Sequence, residues 1–75
     1  MFPITSQVSC LHAAPGVYRL YYHSRLVGEA MTVDNDAFYV SHAFTESGRV
    51  VLSLRDAAGW LEAIEGAVAA PLAAA

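Results

Sequence analysis

A carboxylate that orients an imidazole makes a general base, and strand alternation would set Glu29 and His42 of this 75-residue sequence on one apolar face. In the register developed below, Glu29 lies opposite Val40 and His42 is its diagonal neighbour. A base also needs a cleft and a nucleophile, and nothing in the sequence places either beside this pair. The sequence favours a hydrogen-bonded pair at a sheet margin, or a different register, over a base. A three-residue loop in the first hairpin would instead put Glu29 beside Arg19 as a cross-strand ion pair. Cys10, His12, His23 and His42 are competent zinc ligands, but C-x-H followed by gaps of ten and then eighteen residues forms no compact ligand loop. G-x-S-x-G is absent, as is any Gly-rich phosphate loop. The sequence therefore assigns no catalytic residue, no metal site and no cofactor, and an enzyme is the class it supports least.

The elements that would carry these residues can be read from periodicity. Pro15-Gly16 signals a turn, and Val17 to His23 is rich in the aromatic and branched side chains that suit a pleated surface. Ser24-Arg25 separates this strand from Leu26 to Val33, and Asp34-Asn35 separates that one from Ala37 to Thr45. Glu46-Ser47-Gly48 reads as a three-residue hairpin loop with Gly48 in the left-handed position, pairing Thr45 with Arg49. That register gathers Phe38, Val40, His42, Phe44, Val50, Leu52 and Leu54 on one face. Two-residue turns carried back through the earlier strands add Tyr18, Leu20, Tyr22, Val27, Glu29, Met31 and Val33.

Beyond Leu54 the apolar period changes from two to 3.6. Ser53 or Asp56 can cap a helix whose stripe is Ala57, Leu61, Ile64, Val68 and Leu72, with Glu62 away from it and Pro71 at its end. The expected fold is α+β, a four-stranded antiparallel β-meander followed by one C-terminal α-helix packed on one sheet face (ββββα). Residues 1–14 form an N-terminal arm or short strand, with Ile4 and Val8 as its apolar contacts. Residues 15–70 form the single domain, and residues 71–75 a fraying Ala-rich tail.

Composition narrows the partners. A chain this short buries only roughly 60% of its unfolded surface. With 56% hydrophobic and 15% charged residues, it is expected to leave apolar area exposed or set against a partner. The net charge is −3, Lys is absent, and Arg19, Arg25, Arg49 and Arg55 are scattered, so a footprint for a phosphate backbone is missing. Cys10 is the only cysteine, so the core alone must hold the fold, as suits a cytosolic protein. The apolar runs fall far short of the ~20 residues of a membrane span, and the pattern of a secretion signal is lacking. A cytoplasmic location without membrane contact is expected.

The surfaces that could meet a partner follow from the register. Trp60 lies at the margin of the helical stripe beside Ala63 and Ala67, where it either anchors a partner or folds over the sheet edge to complete a thin core. Tyr21, Tyr39, Arg19 and Val51 fall on the outer sheet face, a protein interface in one reading and a stacking platform for single-stranded nucleic acid in the other. Asp34, Asp36 and Glu46 lie in or beside turns and could engage a basic surface. The leading expectation is a non-enzymatic protein-interaction module using Trp60, Tyr21, Tyr39, Asp34, Asp36 and Glu46. The alternatives are a nucleic-acid-binding sheet using Arg19, Tyr21 and Tyr39, and a homodimer that buries a sheet edge or the Trp60 side of the helix.

Successive hairpins running directly into a helix that begins Asp56-Ala57-Ala58-Gly59-Trp60-Leu61-Glu62-Ala63-Ile64-Glu65 resemble, as a layout, the small proteins of phages and mobile elements, including some anti-CRISPR inhibitors. The resemblance covers most of the chain, carries no diagnostic motif and transfers no functional residue. It implies a stoichiometric inhibitor that binds a larger host protein or nucleoprotein complex.

Overall fold

Six strands and one helix are formed by the described residues, in a computed structural model that describes the backbone of residues 1–34 and 36–74 and the side chains of these up to Gly66. The strands are β1 (Phe2–Pro3), β2 (Val8–Ala14), β3 (Val17–Tyr22), β4 (Arg25–Val33), β5 (Ala37–His42) and β6 (Gly48–Val51), and the helix is α1 (Leu54–Ala74). The sheet is a single antiparallel meander in sequence order, β1 to β6. The class is thus the α+β arrangement expected, with six strands in place of four.

The two further strands come from the segment read as an arm. Val8 and Cys10 face inward and are fully buried, but His12, Ala13 and Ala14 are exposed, so only the first half of β2 shows apolar alternation. The hairpin before it is held by Thr5, whose Oγ1 accepts from the N–H of Gln7 and Val8 and hydrogen-bonds Glu62 on α1. That long-range bond docks the N-terminal strands on the helix.

Three turns decide which side chains face the core. Pro15-Gly16 forms the expected tight turn, with Gly16 at φ 73. Between β3 and β4 the loop is His23-Ser24, not Ser24-Arg25, because both residues accept positive φ, 51 and 69, the requirement of a hairpin turn that matches sheet twist. A bulge then inserts Val27: Tyr21 pairs with Leu26, yet Leu20 pairs with Gly28. Val27 and Gly28 are both buried as a result. Past the bulge, Arg19 pairs with Glu29, so Glu29, Met31 and Val33 face outward and Gly28, Ala30 and Thr32 inward, the reverse of the expected assignment. The β4–β5 loop has three residues, since Val33 pairs with Ala37.

The last hairpin also departs from its reading. Gly48 is a strand residue opposite Ser41, and Val40 pairs with Arg49. The tight loop with a left-handed Gly48 does not form, because the chain leaves β5 at His42: the Ala43 N–H turns back to the Val27 carbonyl and the His42 N–H to the Ser47 carbonyl. This odd-residue shift exchanges the faces of β6. Val51 is buried and Val50 exposed, where the opposite was expected, and Phe44 and Leu52 lie open to solvent.

Ser53 caps α1, its Oγ accepting from the Asp56 N–H at 3.0 Å while its carbonyl accepts from Ala57. The helix crosses the inner faces of β4, β5 and β6 and buries Ala57, Ala58 and Leu61 against Val27, Ala30, Val40 and Val51. Gly28 sets the approach distance. A Cβ there would stand 2.6 Å from the Ser41 carbonyl oxygen and 2.8 Å from Leu61 Cδ1, so the absent side chain is the space Leu61 occupies. The helix runs past Pro71 to Ala74; a proline in the last turn forfeits one ladder hydrogen bond. The expected contributions of Val68 and Leu72 to the stripe, Ala67 beside Trp60 and the fraying of residues 71–75 lie outside the described side chains.

Candidate functional site

The meander separates the residues expected to work together. Glu29 pairs with Ser41 across the β4–β5 ladder and faces outward, while His42 pairs with Gly28 and faces the helix. Glu29 meets Arg19 instead, Oε2 to Nε at 3.9 Å, both side chains about half exposed. The cross-strand ion pair is therefore the arrangement realised, produced by the bulge at Val27 rather than by a longer loop.

His42 takes a carboxylate that periodicity did not suggest. Its Nε2 lies 2.7 Å from Glu65 Oε2, with the His42 and Glu65 side chains only 2% and 8% exposed, and Glu65 Oε1 accepts from Arg25 Nη2. The Phe44 N–H donates to His42 Nδ1 at 3.1 Å. A nitrogen that accepts from a backbone N–H carries no hydrogen, so the other nitrogen holds it and donates to Glu65. The hydrogen bond from His42 holds the Glu65 carboxyl below its ordinary value; burial opposes the shift, and the guanidinium of Arg25 adds to it. The Arg25 guanidinium also sits 5.5 Å from the centre of the Phe44 ring.

Both imidazole nitrogens and both carboxylate oxygens of this cluster have partners within the chain. The cluster spans three parts of the fold. It ties β4, the β5–β6 connection and the second half of α1 together with directional bonds inside a thin core. Glu65 fell outside the sequence argument because a glutamate inside an Ala-rich helix reads as a solvated face. Its offset of four from Leu61, a buried stripe position, was the available signal.

The remaining candidate ligands are dispersed. Cys10 is buried and its thiol is pushed up by that burial. His12 stacks on Tyr18, and His23 occupies a turn. The six residues expected to bind a partner occupy separate regions. Asp34 and Asp36 lie in the loop at one end of β5 and Glu46 in the loop at the other, so the three acids form no common patch. Trp60 is half-buried on the helix side, packed against the core, where it lines a groove of 490 Å³ with Val51, Leu52, Asp56 and Ala63. Val51 reaches that groove from the inner face, not from the outer face expected for it.

Tyr21 and Tyr39 do lie on the outer face, two rows apart, with the Arg19–Glu29 pair between them. Around Tyr39 the strand pairing builds a feature that no single strand announces. Val17 pairs with Met31, Met31 with Tyr39, and Tyr39 with Val50, giving an unbroken apolar row across four strands. Met31 is 42% exposed, Tyr39 39% and Val50 58%. The helix lies on the opposite face, and no described element covers this row. Comparison with protein-family models, with curated proteins and with solved structures finds no match to this chain.

Proposed function

We propose that this chain is a non-enzymatic protein-binding domain that docks through its outer sheet face. The observation that carries the reading is the row Val17, Met31, Tyr39 and Val50. An antiparallel sheet with one face on the core normally turns polar residues to water on the other, and here the outer face is apolar where four strands meet. The occupant that suits it is a folded protein surface with an apolar centre. The tyrosine supplies a rigid, amphipathic anchor, and the paired Arg19 and Glu29 offer a rim with one charge of each sign.

The closed hydrogen bonding of His42 and Glu65 supports a binding role over a catalytic one. The small size and the hairpins-then-helix layout support the narrower reading of a cytoplasmic, phage-type inhibitor of the anti-CRISPR kind, acting by occupying a surface of a larger host protein or nucleoprotein complex. Asp34 and Asp36, at the same end of the sheet as the apolar row, would favour a basic margin on that target. Arg19 argues against the nucleic-acid alternative, because its charge is already met by Glu29.

The test is capture from host extract on immobilised protein, with and without nuclease treatment, together with titration of labelled single-stranded oligonucleotides at low salt. A protein retained after nuclease treatment, with no oligonucleotide binding, is the expected result. Salt-dependent oligonucleotide binding, with protein capture abolished by nuclease, would replace the reading with the nucleic-acid one.

A further inference from the structure

From the open edge of β6, we infer that the chain forms a two-fold homodimer by pairing this strand with its copy. The hydrogen bond from the His42 N–H to the Ser47 carbonyl fixes the phase of the β5–β6 ladder. Bonding alternates along an antiparallel pair, so Arg49 and Val51 direct their backbone groups to β5. The N–H and C=O of Gly48 and Val50, and the N–H of Leu52, point away from β5, to an edge that no other described strand covers. Val50 is 58% exposed and Leu52 75%. Such an edge is a template for a further strand.

A second copy fits this edge better than an arbitrary strand because the edge is complementary to itself. Antiparallel pairing about a two-fold axis at Val50 sets Val50 against Val50, Gly48 against Leu52 of the second copy, and Arg49 against the copy's Val51. Tyr39 already lies over Gly48, so closely that a Cβ there would collide with its hydroxyl. On the helix side, Arg49 lines the groove of its own chain together with Val51, Asp56 and Trp60, and in the dimer its guanidinium would reach across the two-fold axis to the same groove of the copy. Arg49 has no ion-pair partner within its own chain among the described residues. The dimer would give it Asp56 of the copy, twice by symmetry.

A four-residue strand with its flanking groove buries less than a standard interface, so the association is concentration-dependent. The inference goes beyond the partner-binding reading and fails independently of it: its readout is the mass of the isolated protein, with no host component present. Light scattering or sedimentation at widely separated concentrations should show the mass rising toward twice the monomer. Val50→Pro removes an N–H that the native sheet does not use and should leave a folded monomer. Arg49→Glu and Asp56→Arg should each weaken association by roughly tenfold or more, and the double variant should recover it. A wild type that stays monomeric at every concentration overturns the inference. So does a dimer indifferent to Val50→Pro, or a monomer whose Gly48 and Val50 amides gain exchange protection only when host protein is added, which would make the edge a site for another chain's strand.

Discussion

Replacing Glu65 by Ala should cost this domain a large share of its stability. The substitution leaves the His42 Nε2–H inside the core, at 2% side-chain exposure, without its acceptor. An unsatisfied buried donor costs about 1–3 kcal/mol. Arg25 loses the same carboxylate, but its side chain is 57% exposed, so that pair adds about 1 kcal/mol at most. The expected loss is therefore about 1–4 kcal/mol, a serious fraction of the roughly 5–15 kcal/mol that holds a domain together. At about 4–8 °C per kcal/mol for a chain of this size, the melting temperature should fall by roughly 5–30 °C. Urea unfolding followed by Trp60 fluorescence and far-UV circular dichroism measures it. The sign of the pH dependence is also set. A carboxyl held below its ordinary value contributes stability that is present above the unfolded-state pKa and lost as pH falls through the folded one. The gap between wild type and Glu65→Ala should thus be widest near neutrality and shrink on acidification. Replacing both partners, His42→Phe with Glu65→Leu, should recover part of the loss, because no buried imidazole or carboxylate is then stranded, while the partly buried Phe44 N–H loses its acceptor. A Glu65→Ala protein within ~0.5 kcal/mol of wild type, or a gap indifferent to pH, would refute the view that this cluster ties helix to sheet.

Three further variants test the backbone argument by the same unfolding measurement. Gly28→Ala should destabilise by about 1–3 kcal/mol, since the new methyl meets a backbone carbonyl and Leu61; an unchanged midpoint would show that α1 can lift at no cost. His23→Asn with Ser24→Gly should stabilise by about 0.5–1 kcal/mol by placing better-suited residues at two positive-φ positions, and a loss would mean another turn type is present. Gly59→Ala, in a helix interior with nothing within 4 Å of the added methyl, should stabilise by about 0.5–1 kcal/mol, and no gain would argue against a helical Gly59.

How far the sequence could be followed depended on how local the determining physics was. Tyr18, Leu20 and Tyr22 alternate with Arg19 and Tyr21, and a strand with that pattern keeps its faces whichever neighbour it finds. The capping by Ser53 and the inward Ala57 and Leu61 are likewise local. What failed hinged on single residues in connections. The extra residue at Val27 and the early departure of the chain at His42 each shift a register by an odd number and exchange the faces of β4 past the bulge and of β6, while the three-residue β4–β5 loop restores β5, so that Phe38, Val40 and His42 stay inward. Met31 thereby moved from the core to the apolar outer row, and Glu29 from an imagined dyad to a salt bridge with Arg19. The outer row itself exists only once four strands are aligned. The His42–Glu65 bond joins residues on a sheet and a helix whose relative placement follows from the close approach at Gly28, which spacing along the chain does not encode.

The most direct test of a protein-binding outer face compares proteins captured from host extract by the wild type and by a Met31→Glu, Tyr39→Ser variant, quantified by mass spectrometry. Both side chains face solvent, so the variant should melt within a few degrees of the wild type. The account predicts at least one host protein retained by the wild type at roughly tenfold or greater excess over the variant, the loss expected when a central aromatic anchor is removed. Equal retention by the two, or retention of nothing by either, would contradict it.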